Sequence, residues 1–523
     1  MKYSNTTQQD CSNWRLASVL LGLVYVAFYW MQWPGLPRFL DMAYHLNVVH
    51  WFHQIGGYTT FDFWSYAPGG RPHLYAPLLH TGMLTLKTLG MADMALARLT
   101  EVTIYSALII TYTRFVVMLF SWRVAFFTLL LMLAFFPLQV FVATLPAFTL
   151  AFIMTLNLFM SINSARFVKA ALFLALSIYA HTAMGLMSAL ACFVYLVFDS
   201  RGQRIQLLKV IIAGLIMAAP LLIWIGLNLS YMGVAHPLEN RILEIDPLIW
   251  GLLPLGLMIA QFKSNSIKIL SALFMAMLPM ALSHNARFVA GHHLLIVICF
   301  SALGIECLWN KIGALRNSRS IAILTMLILI GCHLCFPTIQ YNTNPKKLNI
   351  FTQDRSLWHL LAAGEVPQIR GNETSIYFES HYDAAIKIIR EQSPNLGTIW
   401  CNYNYMGGLL ATLSSRLISN AMLAEVKPFE ITQKANTLNQ TNLAIWVNEP
   451  NGTAPAHMQR IMEINDFVFA GKTDMATFYK NKHELPAPQL PKPLIPTPYL
   501  MIFLFIVFAV ICVPTKGLTE NMH

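Results

Sequence analysis

VIIAGLIMAAPLLIWIGLNL, Val210 to Leu229, runs for 20 residues without a charged side chain. As a helix rising about 1.5 Å per residue it reaches about 30 Å, the depth of a bilayer's hydrocarbon core. Outward from it in both directions the same pattern recurs, at residues 16–31, 96–118, 124–141, 147–162, 167–180, 183–198, 247–261, 268–283, 293–309, 320–336 and 498–513. The chain is 56% hydrophobic and only 11% charged, against about 25% charged in soluble chains. No soluble fold hides that much apolar surface. The expectation is a polytopic α-helical membrane protein with about twelve transmembrane helices. The first run could pass for a secretory signal, but no small-residue cleavage site follows it, so it reads as a retained helix.

Lys and Arg resist translocation and mark the cytoplasmic side. Arg114, Arg123, Arg166, Lys169, Arg201, Arg204, Lys209, Lys263, Lys268, Lys311, Arg316 and Arg319 fall in alternate loops, and Lys2, Arg15 and Lys516 at the termini bring that side to 15. The opposite short loops hold Arg38, Arg71, Lys87, Arg241 and Arg287. Both termini are therefore expected in the cytoplasm, in the plasma membrane. The net charge of +11 is mostly this topology signal and does not argue for nucleic acid.

Three outward features are expected: the first outer loop (33–95), a shorter loop at 230–246, and a hydrophilic block. The division is residues 1–336 as a transmembrane module, 337–485 as a small extracytoplasmic α/β domain, and 486–523 as a Pro-rich linker, last helix and cytoplasmic tail. The block mixes helix-like stretches (Asp354 to Ala363, Tyr382 to Arg390) with strand-like ones (Ile376 to Phe378, Asn442 to Val447, and a hairpin from Phe467 to Phe478), which favours α/β. Of eight cysteines only Cys401 lies in it, so it has no internal disulfide framework. Cys332 and Cys335, one helical turn apart, read as small buried residues rather than a redox pair.

The first outer loop carries most of the chemistry-bearing residues: FLDMAYHLNVVHWFHQIGGYTTFDFWSYAPGGRPHLYAPLLH, Phe39 to His80. Asp41 and His45 are four apart and share a helix face, and Gly56-Gly57 ends that helix. A carboxylate just after a span sits at headgroup level, where a lipid-linked sugar would present its anomeric carbon. Transfer by displacement needs a base for the acceptor's proton and cations for the departing phosphate. Asp41 suits the first task; Arg71 and Arg287 suit the second. The plainer readings are that Asp41 caps a helix or pairs with Arg38, and that Arg287 only snorkels to lipid phosphates. Of 16 histidines, none but His523 falls in an expected cytoplasmic loop. Such residues can share protons or donate to phosphate, or can simply be tolerated at headgroup depth.

The D-x-x-x-H start at Asp41 and the later D-x-W-S-x-x-P-x-G-R-P-x-x-Y section resemble the first external loop of GT-C superfamily glycosyltransferases. The likeness is to the oligosaccharyltransferase catalytic-subunit branch and its prokaryotic relatives. TIWCNYNYMGGLLATLSSRLISNAML, Thr398 to Leu423, is similar to that branch's aromatic-Asp-Tyr-Gly segment. The resemblance implies an inverting transferase that uses a polyprenyl-phosphate-linked sugar and a lipid, glycan or protein acceptor. It implies Asp41 as the catalytic carboxylate and, where a metal assists, as a ligand of Mg2+ or Mn2+. His45, Arg71, His73, Tyr75, Arg287, Trp400 and Tyr403 would bind substrate. The sequence departs from the branch in two places: the next outer loop, VATLPAF (Val142 to Phe148), has no second carboxylate, and Asn402 and Asn404 replace the motif's Asp and Gly. Both departures weaken the case for divalent metal and for sequon recognition. The competing expectations are a carrier for lipid-linked sugar, which would show repeats or mid-bilayer ionisable groups, and an inactive scaffold.

Overall fold

The computed structural model describes residues 8–31, 33, 41–135, 138–139, 141–142, 145–199, 202–232, 242–260, 264–283, 285–313, 338–343, 346–351, 379–420, 426, 436–447, 456–483, 485–486 and 489–512. Its main helices are α1 (Gln8–Met31), α2 (Asp41–Ile55), α3 (Leu78–Thr88), α4 (Asp93–Leu119), α5 (Trp122–Ala134), α6 (Pro146–Asn163), α7 (Phe167–Ala180), α8 (Thr182–Phe198), α9 (Arg204–Leu227), α10 (Pro247–Ile259), α11 (Asn265–Met277), α12 (His292–Gly313), α13 (Glu379–Gln392), α14 (Asn404–Ser414), α15 (Ala456–Ile464) and α16 (Thr497–Cys512). Eleven of the expected spans overlap one of these helices; the twelfth, 320–336, lies outside the described residues, as do Cys332, Cys335, Asp354 to Ala363 and Ile376 to Phe378. Among the described residues five helices are long and apolar enough to cross a bilayer: Ser12–Met31, Asp93–Leu119, Pro146–Asn163, Arg204–Leu227 and His292–Ile312. The chain is a multi-pass membrane protein.

Large apolar side chains stand exposed along these helices, among them Ile205, Ile212, Ile216 and Ile223 of α9 and Phe503, Phe505 and Phe508 of α16. In water such surface would cost about 25 cal/mol per Å²; against lipid tails it costs nothing comparable.

The chain divides into two compact units. The first comprises Met1–Met42, Ala97–Leu221 and Gly233–Phe378. In it α1 packs on α5, α5 on α12, α10 on α12, and α6, α7 and α8 on one another. A three-stranded antiparallel sheet joins β4 (Ile242–Ile245) to β5 (Thr338–Thr343) and β6 (Lys346–Phe351). Buried polar pairs tie its helices: Tyr29 Oη donates to Glu101 Oε1 at 2.6 Å, Tyr105 donates to Gln139, and the rings of Tyr29 and Tyr105 stack 4.1 Å apart. Glu101 is buried in the outer third of α4. Its carboxylate is held by a phenol, a charge-assisted hydrogen bond that offsets its desolvation.

The second unit comprises Ala43–Leu96, Leu222–Met232 and Glu379–His523. It holds a mixed five-stranded sheet in the order β10-β11-β9-β7-β8, built from β7 (Thr398–Cys401), β8 (Leu417–Ile418), β9 (Leu443–Val447), β10 (Phe467–Lys472) and β11 (Ala476–Asn481). β7 runs parallel to β8 and β9, and β11 is antiparallel to both its neighbours. α13 and α14 pack on this sheet and α15 packs on β10. Two short ladders complete the unit: β2 (Phe61–Asp62) with β3 (Arg71–Pro72), and β1 (Gly57–Tyr58) with β12 (Ile495–Pro496).

Candidate functional site

The first outer loop begins with Asp41, half-buried in the first turn of α2, where a negative charge is favoured by the helix dipole. From Ala43 to Phe52 every residue of α2 is buried, polar ones included. That stretch is thus enclosed on all sides, and its buried histidines call for partners inside the protein. His45 has one: its Nδ1 lies 2.9 Å from Nε2 of His80, on α3. Tyr44 and Tyr75 flank the pair, with ring centroids 5.6 and 5.3 Å from His45. Asn47 Nδ2 donates to the carbonyl of Gly408 on α14 at 3.2 Å.

His73 is buried between Phe52, Trp64 and Tyr58, and its carbonyl accepts from Trp224 Nε1 at 3.0 Å. Burial, helped by the charge of Arg71, lowers its imidazole to about 3. His80 is also held well below the ordinary imidazole value, by burial and by His73. Burial thus favours the neutral form of both rings. His73 Nε2, His80 Nδ1 and Trp64 Nε1 are buried without a hydrogen-bond partner among the protein atoms. Each such group costs about 1–3 kcal/mol.

The hairpin of β2 and β3 is locked from inside. Arg71 Nε donates to Asp62 Oδ2 at 2.7 Å, the Ser65 amide donates to Asp62 Oδ1 at 2.9 Å, and Arg71 Nη1 donates to the Val426 carbonyl at 3.0 Å. Burial pushes the Asp62 carboxyl up, against the pull of the guanidinium; on Arg71 burial also opposes the charge, yet Asp62 and Tyr44 raise it, so the arginine keeps its proton. Gly70, at φ +71°, lies where a Cβ would come 2.6 Å from the Phe61 ring and 2.9 Å from the Asp62 carbonyl. Only glycine fits there. Arg71, expected to face a phosphate, is 1% exposed and engaged by Asp62. Its place in the structure is that of a loop-organising residue.

The loop then adds to the sheet. The Ile418 amide donates to the Trp64 carbonyl at 2.9 Å and the Ala67 amide to the Ile418 carbonyl at 3.0 Å, so Trp64 to Ala67 extends the β8 edge. The two stretches that carry the family resemblance, more than 300 positions apart, meet at this edge.

Within the second stretch, Trp400 packs against the core of Ala444, Met458, Met462, Phe467 and Tyr479. Tyr403, half-buried, precedes the first residue of α14. Asn402 replaces the family's Asp and forms a two-way clamp: its Oδ1 accepts from the Val447 amide at 2.7 Å and its Nδ2 donates to the Val447 carbonyl at 3.3 Å. Asn420 clamps Cys401 in the same way. A carboxylate could not make the donor half of either clamp. The side chain of Arg287 lies outside the described ones. Among the described residues no three His, Cys, Asp or Glu side chains group as a metal would require, so the Mg2+ or Mn2+ expectation finds no ligand set there. The sequence reading named His45 as a site residue but not His80; nothing in the local pattern pairs positions 35 apart.

No family model matches the sequence, and no curated protein matches it. Solved structures do. An oligosaccharyltransferase from Archaeoglobus fulgidus, solved with Zn and sulfate, is 13% identical, with a TM-score of 0.53 over 82% of this chain and 68% of that one. AglB from the same organism, in complex with an inhibitory peptide and a dolichol-phosphate, is 11% identical, with a TM-score of 0.51 over 91% and 75%. ArnT from Cupriavidus metallidurans, bound to undecaprenyl phosphate, is 14% identical, with a TM-score of 0.53 over 90% and 99%. Identities this low speak for the fold alone. The chain has the fold of the GT-C membrane glycosyltransferases.

Proposed function

We propose that the protein moves a sugar from a polyprenyl-phosphate-linked donor to a lipid, glycan or protein acceptor at the outer face of the plasma membrane, with Asp41 as general base. Residues 1–336 form the transferase module, 337–485 the extracytoplasmic α/β domain, and 486–523 the linker, last helix and cytoplasmic tail. The observation that carries the reading is the position of Asp41 at the start of α2, soon after the apolar helix α1 ends. In this role the Asp41 carboxylate takes the proton of the acceptor's nucleophile as that atom bonds to the anomeric carbon. The bond to the phosphate oxygen breaks, and the polyprenyl phosphate leaves with the electron pair. Attack opposite the leaving group inverts the anomeric centre.

His45, one turn along α2, forms with His80 an imidazole pair that can donate to sugar hydroxyls, and Tyr75 offers an aromatic edge beside it. Arg287 serves the departing phosphate. Arg71 and His73 act from behind, by holding the loop's shape. Trp400 and Tyr403 shape the sheet that the loop docks on. No step is assigned to a metal ion.

The test is Asp41→Asn, which keeps shape and removes basicity. Membranes carrying this variant are expected to lose transfer of labelled sugar from polyprenyl phosphate by about a hundredfold to ten-thousandfold. Unchanged transfer ends the assignment.

A further inference from the structure

The C-terminal segment from Leu494 to Leu500 is clasped to the exit turn of α2. The Leu494 amide donates to the Tyr58 carbonyl at 2.7 Å and the Thr497 amide donates to the Gly56 carbonyl at 2.9 Å. Between them Gly57 pairs with Pro496 and Tyr58 with Ile495 in an antiparallel ladder. Gly57 is required by this closeness: a Cβ there would come 2.2 Å from the Ile495 carbonyl oxygen. α16 then continues onto the flank of α3 and onto β1, burying Thr497 and Leu500. Beyond Leu500 its side chains are exposed or half-exposed as far as Cys512, so the helix is fixed to its unit at its first turn.

The clasp therefore holds both elements of the imidazole pair. It fixes the end of α2, which carries His45, and the flank of α3, which carries His80. α2 is also a lever. From His45 to Ile55 it spans about 15 Å at 1.5 Å per residue, so a tilt of about 5° at the exit turn moves the His45 end by about 1.3 Å. Misplacements of about 1 Å cost rate by about a hundredfold.

We propose that Gly57 and the strap from Leu494 to Leu500 are positioning elements of the site: they carry no chemistry, and they set the registration of His45 against His80 and the aim of α2. The proposal rests on the transferase reading for its effect on rate, but the geometric half stands independently.

The experiment uses the full chain in lipid nanodiscs with 15N-labelled histidine, and compares the wild type, Gly57→Ala and Gly82→Ala. Gly82 lies in α3 with open space around the position of a Cβ. Two signals are read without substrate: the imidazole resonances of the His45–His80 hydrogen bond, assigned by His45→Gln and His80→Gln, and hydrogen exchange of the amides at residues 56–62. Gly57→Ala is expected to shift the imidazole signals and to speed exchange by about tenfold, an effect of about 1.4 kcal/mol. Gly82→Ala is expected to match the wild type. In the transfer assay Gly57→Ala should lower kcat by about a hundredfold with KM within about twofold. A protease site inserted between Gln489 and Leu490 supplies the second measurement and decides the matter if Gly57→Ala does not accumulate. After cleavage the C-terminal fragment should stay bound with wild-type imidazole signals. Faster exchange with unchanged imidazole signals overturns the proposal, as does release of the cut fragment with those signals intact. Imidazole signals that respond in a chain without any transfer leave the positioning role standing and remove the transferase reading.

Discussion

Arg71 Nε lies 2.7 Å from Asp62 Oδ2, and the pair is buried within the loop that carries the family resemblance. The arginine thereby joins three parts of its unit: the hairpin of β2 and β3, the turn at Ser65, and the chain at Val426. Both charges are out of water, so losing one partner strands the other.

Replacing Arg71 with Met or Asp62 with Leu is expected to destabilise the unit by about 3–5 kcal/mol. The double replacement should recover part of that loss, since it leaves no orphaned charge. Thermal unfolding of the purified chain in detergent, followed across the two single variants and the double, measures the coupling; strictly additive losses would contradict it.

Acid should loosen the same unit. His73 has its folded value lowered to about 3 from the ordinary 6.5, so between these values the unfolded chain binds a proton that the folded one refuses. Stability is therefore fully present above about pH 6.5 and falls as pH drops toward 3, by about 1.4 kcal/mol per pH unit at most. His80, lowered in the same direction, adds to it. Melting temperatures measured from pH 7.5 to pH 4.5 should decline, and His73→Phe should flatten the decline.

Asn402→Asp restores the acid of the family motif and is expected to weaken the sheet rather than to create a metal site. It sets a carboxylate oxygen against the Val447 carbonyl in place of a donor, a cost of about 1 kcal/mol at this exposed position. Chemical denaturation should show that loss, and added Mg2+ or Mn2+ should not reverse it. Metal-dependent recovery of stability would refute the clamp reading.

Tyr29→Phe removes the phenol from Glu101 and leaves a buried carboxylate short of a donor. The expected cost is about 2 kcal/mol. Tyr29→Phe with Glu101→Gln should cost less than Tyr29→Phe alone. Thermal melting of both variants in the same detergent decides it.

Much of the plan was legible in the sequence because its cause is local. Runs such as Val210 to Leu229 are apolar along their whole length, and a bilayer rewards that wherever the rest of the chain goes. The end of α2 was legible too, since Gly56 can take the positive φ, +80°, that follows Ile55. Local pattern also marked β9 and the hairpin of β10 and β11. Arg71 was read differently from where it lies. A loop arginine in an outward segment looks available to a phosphate, and nothing nearby in sequence announces that Asp62, nine positions earlier, curls back to take it.

The sequence by itself determined that this chain lives in a membrane, roughly where its apolar helices fall, and that Asp41 opens a helix after a span. Tertiary structure alone decided who meets whom: His45 with His80, Trp64 with Ile418, Asn402 with Val447, Gly57 with Pro496. The division has a physical cause. Helix formation and membrane insertion respond to neighbours within a few residues, whereas a buried imidazole or a sheet edge is satisfied by whichever group the whole fold brings within 3 Å.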